Sequence, residues 1–185
     1  MGEIEDAIER AGQEGFTRPP PKTVQGRISY LMRQLGSARA VAAEIGVTAD
    51  SVNRYRRGAR KHPRADVAAR IDAAVRQRWQ PQVRKRRQRQ AATTGGITVE
   101  TRARFGYTAP VGTTDDGRFR RLTVNLPAPY AQRLFDAHHA GAGEQQMRNI
   151  IAEGFKDVYF QDGGSRATGI SDVAISEIDY LDLGY

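Results

Sequence analysis

The stretch 38–57, ARAVAAEIGVTADSVNRYRR, constrains the fold more than any other part of the chain. A small residue, Ala42, is followed four positions later by Gly46. That spacing suits two short helices joined by a tight turn: Ala lets the second helix approach, and Gly accepts the positive φ of the turn. Val47, Val52 and Tyr55 supply inward anchors, and Thr48 is a candidate N-cap for the second helix. Ala49, Asp50, Asn53, Arg54 and Arg57 are then predicted to face outward. Asn pairs bidentately with adenine and Arg with guanine in the major groove, so this helix has the side chains of a DNA reader. Arg56, Arg60 and Lys61 are placed for phosphates, which position a protein without reading sequence. Asp50 would meet phosphates unfavourably, and is expected to cap the helix start or accept from a cytosine amine. An ordinary helical hairpin with a solvated basic surface has the same spacing.

The charge distribution favours the DNA reading. Residues 1–92 carry 20 Lys and Arg against 9 Asp and Glu, whereas 93–185 carry 9 against 12. A basic half joined to a mildly acidic half indicates a polyanion-binding part and a part with another job. Seven basic residues fall between 76 and 89, and Arg84, Lys85, Arg86, Arg87 and Arg89 form a run that extends the footprint with a salt-dependent grip on phosphates. The run also has the composition of a nuclear localisation signal, a weakly specific motif. Trp79 is read as a core anchor, with base stacking as the alternative.

Periodicity and punctuation give the rest. Ile4, Ala7, Ile8 and Ala11 make a short helical stripe, and the following FTRPPP breaks it into an extended arm. Helical spacing recurs over 23–35 and 64–79, with Pro81 expected to kink or end the latter. From Ile97 to Phe105 and from Leu122 to Leu126, apolar and polar residues alternate, predicting a β-hairpin over 97–126 with a long loop. Two helices follow, over 127–139 and 144–160, and the tail 171–185 is a candidate third strand. The expected fold class is α+β, with an all-helical helix-turn-helix domain preceding a smaller mixed domain that carries a hairpin and two helices. The expected boundaries are an N-terminal helix and Pro-rich arm at 1–22, the helix-turn-helix domain at 23–82, a basic linker at 83–96 and the α+β domain at 97–185.

Several chemistries are excluded or left without support. The chain has no cysteine, so it has neither disulfide nor thiolate metal site. His138 and His139 are adjacent on a predicted helix and point apart, so a shared ion is not expected. Gly163-Gly164-Ser165 lacks the Lys of a phosphate-binding loop. No apolar run reaches the roughly 20 residues that span a bilayer, and the N-terminus lacks an apolar signal region. The chain is therefore expected to be soluble and intracellular, with no membrane partner and no catalytic residues of its own. The tail carboxylates Asp172, Glu177, Asp179 and Asp182 read as a solvated face or an interaction surface. In the hairpin loop, Thr113, Thr114, Asp115 and Asp116 stand between Gly112 and Gly117. These residues make a good turn, and they also present a hydroxyl of the kind that can enter another enzyme's active site.

The opening GEIEDAIERAGQEGFTRPPPKTVQGRI, the central VAAEIGVTADSVNRYRRGARKHPRADVAARID and the closing ISEIDYLDLGY together resemble the telomere terminal proteins of linear Streptomyces chromosomes and plasmids. The resemblance covers essentially the whole chain. It implies a protein primer that is covalently joined to DNA 5′ ends and located at chromosome ends in the nucleoid. A Thr hydroxyl would attack the α-phosphate of the first nucleotide, expected to be dCTP, with Mg²⁺ and the catalytic site supplied by a DNA polymerase. Carried onto this sequence, that hydroxyl belongs to Thr114, or alternatively to Thr113, with Asp115 and Asp116 beside it in the priming loop. No cofactor would be bound by the chain itself. The implied partners are telomeric DNA, as duplex and single-stranded overhang, a telomere-associated protein and the polymerase; self-association is a further option. The alternative is a transcriptional regulator whose helix-turn-helix reads an operator while 97–185 dimerises or senses a ligand. A nucleoid architectural protein is a third class.

Overall fold

The computed structural model describes residues 2–108, 117–167 and 169–185. It is α+β and divides into two compact units: Phe16–Pro81, and Met1–Gly15 together with Gln82–Tyr185.

The helical unit contains α2 (Val24–Leu35), α3 (Ala38–Ile45), α4 (Ala49–Arg56) and α5 (Ala65–Arg78). The boundaries from the start of α2 to the start of α4 have local causes. The Thr23 hydroxyl accepts from Gly26 N, and Gly36 ends α2 at φ 80°. The Ser37 side chain accepts from Ala40 N and opens α3. Gly46, at φ 64°, ends α3, and Thr48 opens α4 by accepting from Ser51 N. Ile28, Leu31, Val41, Ile45, Val52, Tyr55, Ile71 and Val75 form the core. Ala42 is buried, and Val47 N donates to its carbonyl at 3.0 Å, which ties the turn to α3. Replacing Thr48 by Ala should cost this unit about 1 kcal/mol, through loss of a single cap. Urea unfolding followed by Trp79 fluorescence checks this, and an unchanged midpoint would deny the cap its role.

The end of α5 is held by aromatic packing. Trp79 lies edge-on to Tyr30, with ring centroids 4.8 Å apart, and its indole N–H donates to Arg18 O at 2.8 Å. The Tyr30 hydroxyl donates to Arg78 O. Pro81 does not kink α5: the helix stops at Arg78, and Pro81 begins α6 (Pro81–Gln90).

The mixed unit has a three-stranded antiparallel sheet with the order β2-β1-β3, made of β1 (Ile97–Thr108), β2 (Arg118–Leu126) and β3 (Asp172–Gly184). The register pairs Ile97 with Leu126 and Thr101 with Leu122 on one side of β1, and Thr98 with Gly184 and Thr108 with Asp172 on the other. The tail is therefore a strand, placed beside the central β1. Alternation sends Ile97, Val99, Thr101, Ala103 and Phe105 inward. Thr101 is tolerated there because its hydroxyl donates to Tyr180 O at 2.8 Å. The core against this face comes from α1 (Glu3–Glu14), α7 (Ala128–His139) and α8 (Glu144–Phe155), which continues as a π-helical turn over Lys156–Phe160.

Two expectations change and one holds. The mixed unit is the larger of the two, as Gln82–Tyr185 alone is longer than Phe16–Pro81, and α1 belongs to it instead of forming an arm with 16–22. The Glu144 carboxylate accepts from Ile4 N at 2.9 Å, so one anion at the start of α8 also satisfies the start of α1. The stretch 83–96 is not a linker: α6 runs to Gln90, and a π-helical turn over Ala91–Gly95 leads into β1. Finally, 127–139 and 144–160 are helical as expected, apart from the wider last turn of the second.

Candidate nucleic-acid interface

The surface of α4 follows from its own period. Val52 and Tyr55 are buried, while Asp50, Arg54, Arg56 and Arg57 are exposed and Asn53 is half-buried. Ala49 departs from the outward set: it is partly buried against the helical core. Asp50 does not cap the helix, because Thr48 does so, and instead pairs with Arg54 at 2.9 Å across one turn. Beyond α4, Gly58 at φ 74° reverses the chain, and Arg60, Lys61 and His62 are exposed. The Arg60 guanidinium lies over the Tyr55 ring, 5.6 Å from its centroid. Cations at 54, 56, 57, 60 and 61 thus share one helix end and its following turn. A polyanion meets a cluster here with one internal carboxylate partner, in an exposed pair that solvent screens. Arg70 packs over the turn at Gly46 while pairing with Asp66 at 3.0 Å. The sequence reading missed it, because it lies on α5.

Helix α6 divides its charge by face. Lys85, Arg86 and Arg89 are exposed, and their spacing puts them on one side. Arg84 and Arg87, expected to contact DNA, turn inward and are half-buried. Arg84 pairs with Glu9 at 2.9 Å and is only 13% exposed. Arg87 donates to the Tyr185 carbonyl and lies 5.7 Å from the centroid of the Tyr185 ring. Tyr185 packs edge-on to Phe135 at 4.9 Å, its hydroxyl donates to Ile8 O at 3.2 Å, and burial pushes its phenol up. Two of the five cations of the basic run therefore hold α1 and the C-terminal strand in place.

The tail carboxylates are likewise engaged. Asp179 pairs with Arg102 at 2.7 Å, Glu177 with Arg104 at 3.5 Å and Asp182 with Arg10 at 3.0 Å. Asp172 accepts from Val173 N. On the same outward sheet face, Arg121 and the Tyr180 hydroxyl donate to Glu100, which holds its carboxyl below the usual range. Among the described residues, no three His, Asp or Glu side chains are gathered to hold a metal ion. No helix of the described residues is long and apolar enough to cross a membrane. Thr113, Thr114, Asp115 and Asp116 lie outside the described residues, between β1 and β2.

Comparison with protein-family models, curated proteins and solved structures returns no relative of this chain.

Proposed function

We propose that this chain is a telomere terminal protein: it holds the end of a linear DNA, accepts a nucleotide on Thr114 and primes end-patching synthesis. The exposed cationic surface of α4 and its following turn carries the DNA-binding part. In this reading α3 and α4 are a helix-turn-helix, Asn53, Arg54 and Arg57 approach base edges, and Arg56, Arg60 and Lys61 hold phosphates. Lys85, Arg86 and Arg89 add phosphate contacts from α6. The priming part is supported by the whole-length resemblance to telomere terminal proteins.

In the priming step, the Thr114 hydroxyl oxygen attacks the α-phosphorus of dCTP. An O–P bond forms, the bond to the bridging oxygen of the β-phosphate breaks and pyrophosphate leaves. The hydroxyl proton passes to solvent or a polymerase base. The polymerase supplies Mg²⁺ and the catalytic site, so the chain is an acceptor and not an enzyme. Thr113 is the alternate hydroxyl, and Asp115 and Asp116 flank it. DNA polymerase and a telomere-associated protein are the expected partners.

The test incubates the chain with labelled dCTP, Mg²⁺, polymerase, telomeric template and the telomere-associated protein. Label should join the wild type and Thr113→Ala but not Thr114→Ala; the reverse pattern would assign the priming hydroxyl to Thr113 instead. An unlabelled wild type, in a reaction whose other components are active, sinks priming. The α4 surface serves a transcriptional regulator equally well, and that reading would then replace this one.

A further inference from the structure

Two aromatic-rich surfaces of the mixed unit remain unexplained. The first is the outward sheet face, where Phe119 is 41% exposed. Its ring lies beneath Arg102 and Arg104, 5.7 and 5.3 Å away, and both guanidinium groups face carboxylates of β3. That face is neutralised from within.

The second is a cleft of about 400 Å³ lined by Tyr107, Arg120, Tyr159, Phe160, Arg166 and Ile170. It gathers the end of β1, the start of β2, the π-helical turn after α8 and the segment before β3. Its volume falls within the roughly 300–1,000 Å³ of small-molecule sites. Tyr159 is 37% exposed and stands edge-on to Phe160, with centroids 5.1 Å apart and planes at 88°. Perpendicular rings leave the open π-face of one beside the rim of the other, the arrangement that accepts a third flat ring. Arg120 lies 5.9 Å from the Phe160 centroid and has no carboxylate partner among the described residues. Arg166 pairs with Asp162 at 3.6 Å, but both are largely exposed, and a phosphate can displace so weak a contact. Flat aromatic surface and guanidinium groups on one wall match a base and its phosphate.

We propose that this cleft binds one nucleotide unit, with an unpaired base against Tyr159 and Phe160 and its phosphate between Arg120 and Arg166. The choice of a nucleotide over another aromatic anion rests on the DNA reading; the cleft itself does not depend on α4. Two sources have this chemistry, a free nucleotide and the unpaired end of a single strand.

The experiment uses the full chain at fixed salt. Binding of a fluorescent eight-nucleotide oligo(dT) is measured by anisotropy for wild type, Arg120→Ala, Tyr159→Leu and the sheet-face control Arg102→Ala. A photoreactive 5-iodouracil version is cross-linked and its attachment site mapped by mass spectrometry. Both cleft variants should weaken binding about tenfold or more, the size expected for one lost stacking or charge contact, while the control keeps wild-type affinity. Cross-links should fall within 157–170. Competition by an equimolar dNTP mixture identifies a free nucleotide as occupant, and its failure identifies a strand end; either supports the site. Unchanged affinity in both cleft variants, with cross-links mapping elsewhere, overturns it. Circular dichroism confirms that each variant is folded, and cross-link mapping on the wild type is independent of any substitution. Duplex binding on the same samples reads the α4 and α6 surfaces and not the cleft, so failure of the cleft is distinguishable from failure of the DNA reading.

Discussion

Gly96→Ala should largely unfold the mixed unit. Gly96 joins the π-helical turn to β1 at φ 71° and ψ −164°, a backbone region that is essentially glycine-only. A Cβ built there falls far inside contact distance of Leu126 O and 3.2 Å from Asn125 Oδ1. Leu126 O belongs to the backbone that pairs opposite Ile97, the first rung of β1 with β2. Neither side can retreat. The Leu126 side chain is buried against α8, where even a Cβ on Gly154 would approach it to 2.8 Å. Backbone strain of roughly 1–3 kcal/mol and overpacking of roughly 1–3 kcal/mol together approach ~5 kcal/mol, the lower bound of ordinary domain stability. Gly141→Ala is the control: its φ is 73°, but no atom lies within 4 Å of the added Cβ, so only about 1 kcal/mol of backbone strain is expected. Urea unfolding by circular dichroism and hydrogen exchange of the β1 amides compare the two. Equal midpoints would mean that the Gly96–Leu126 approach does not constrain the sheet.

The elements that were legible in the sequence are those whose cause is local. Thr48 and Gly46 mark the ends of α4 and α3 because a cap and a left-handed turn need particular residues at those positions. The hairpin was legible because alternation from Ile97 to Phe105 repeats every second residue. What was illegible depends on distant partners. The stripe on α1 announces a helix, but its docking is set by Glu144 and by the Glu9–Arg84 pair, far away in sequence. The acidic alternation of β3 reads as a solvated tail until Arg102 and Arg104 of β1 stand opposite it.

The same division runs through the candidate sites. The outward residues of α4 are fixed by its two buried anchors, Val52 and Tyr55, so the helix's own period exposes them. In α6 the run looked uniform because four Arg and one Lys carry the same charge. The Glu9 carboxylate and the Tyr185 carbonyl help separate Arg84 and Arg87 from their neighbours. The cleft had no signal at all: Tyr107, Arg120 and the 159–170 residues come from three segments, and no spacing rule joins them.

The sharpest expectation for DNA binding sets residues of like charge against one another. Arg57→Ala, Arg60→Ala and Lys61→Ala in combination should weaken duplex binding by roughly 100-fold at about 0.15 M salt, since each base or phosphate contact contributes on the order of 1–3 kcal/mol. These three side chains are exposed and hold no ion pair among the described residues, so fold stability should fall by no more than the roughly 0.5–1 kcal/mol of the Arg60–Tyr55 contact. Within α6, removing Lys85, Arg86 and Arg89 should lower the slope of log affinity against log salt by about 3, one unit for each phosphate-contacting cation. Removing Arg84 and Arg87 should leave that slope near the wild-type value and destabilise the mixed unit instead, because Glu9 and the Tyr185 carbonyl lose their donors. Anisotropy titrations over a range of salt, beside urea unfolding of the same proteins, separate the two. If both α6 variants change the slope equally, binding is a diffuse charge effect and the division of the helix into two faces has no part in it. If the α4 variant binds duplex like wild type, α4 is not the DNA-reading surface, whatever its sequence suggests.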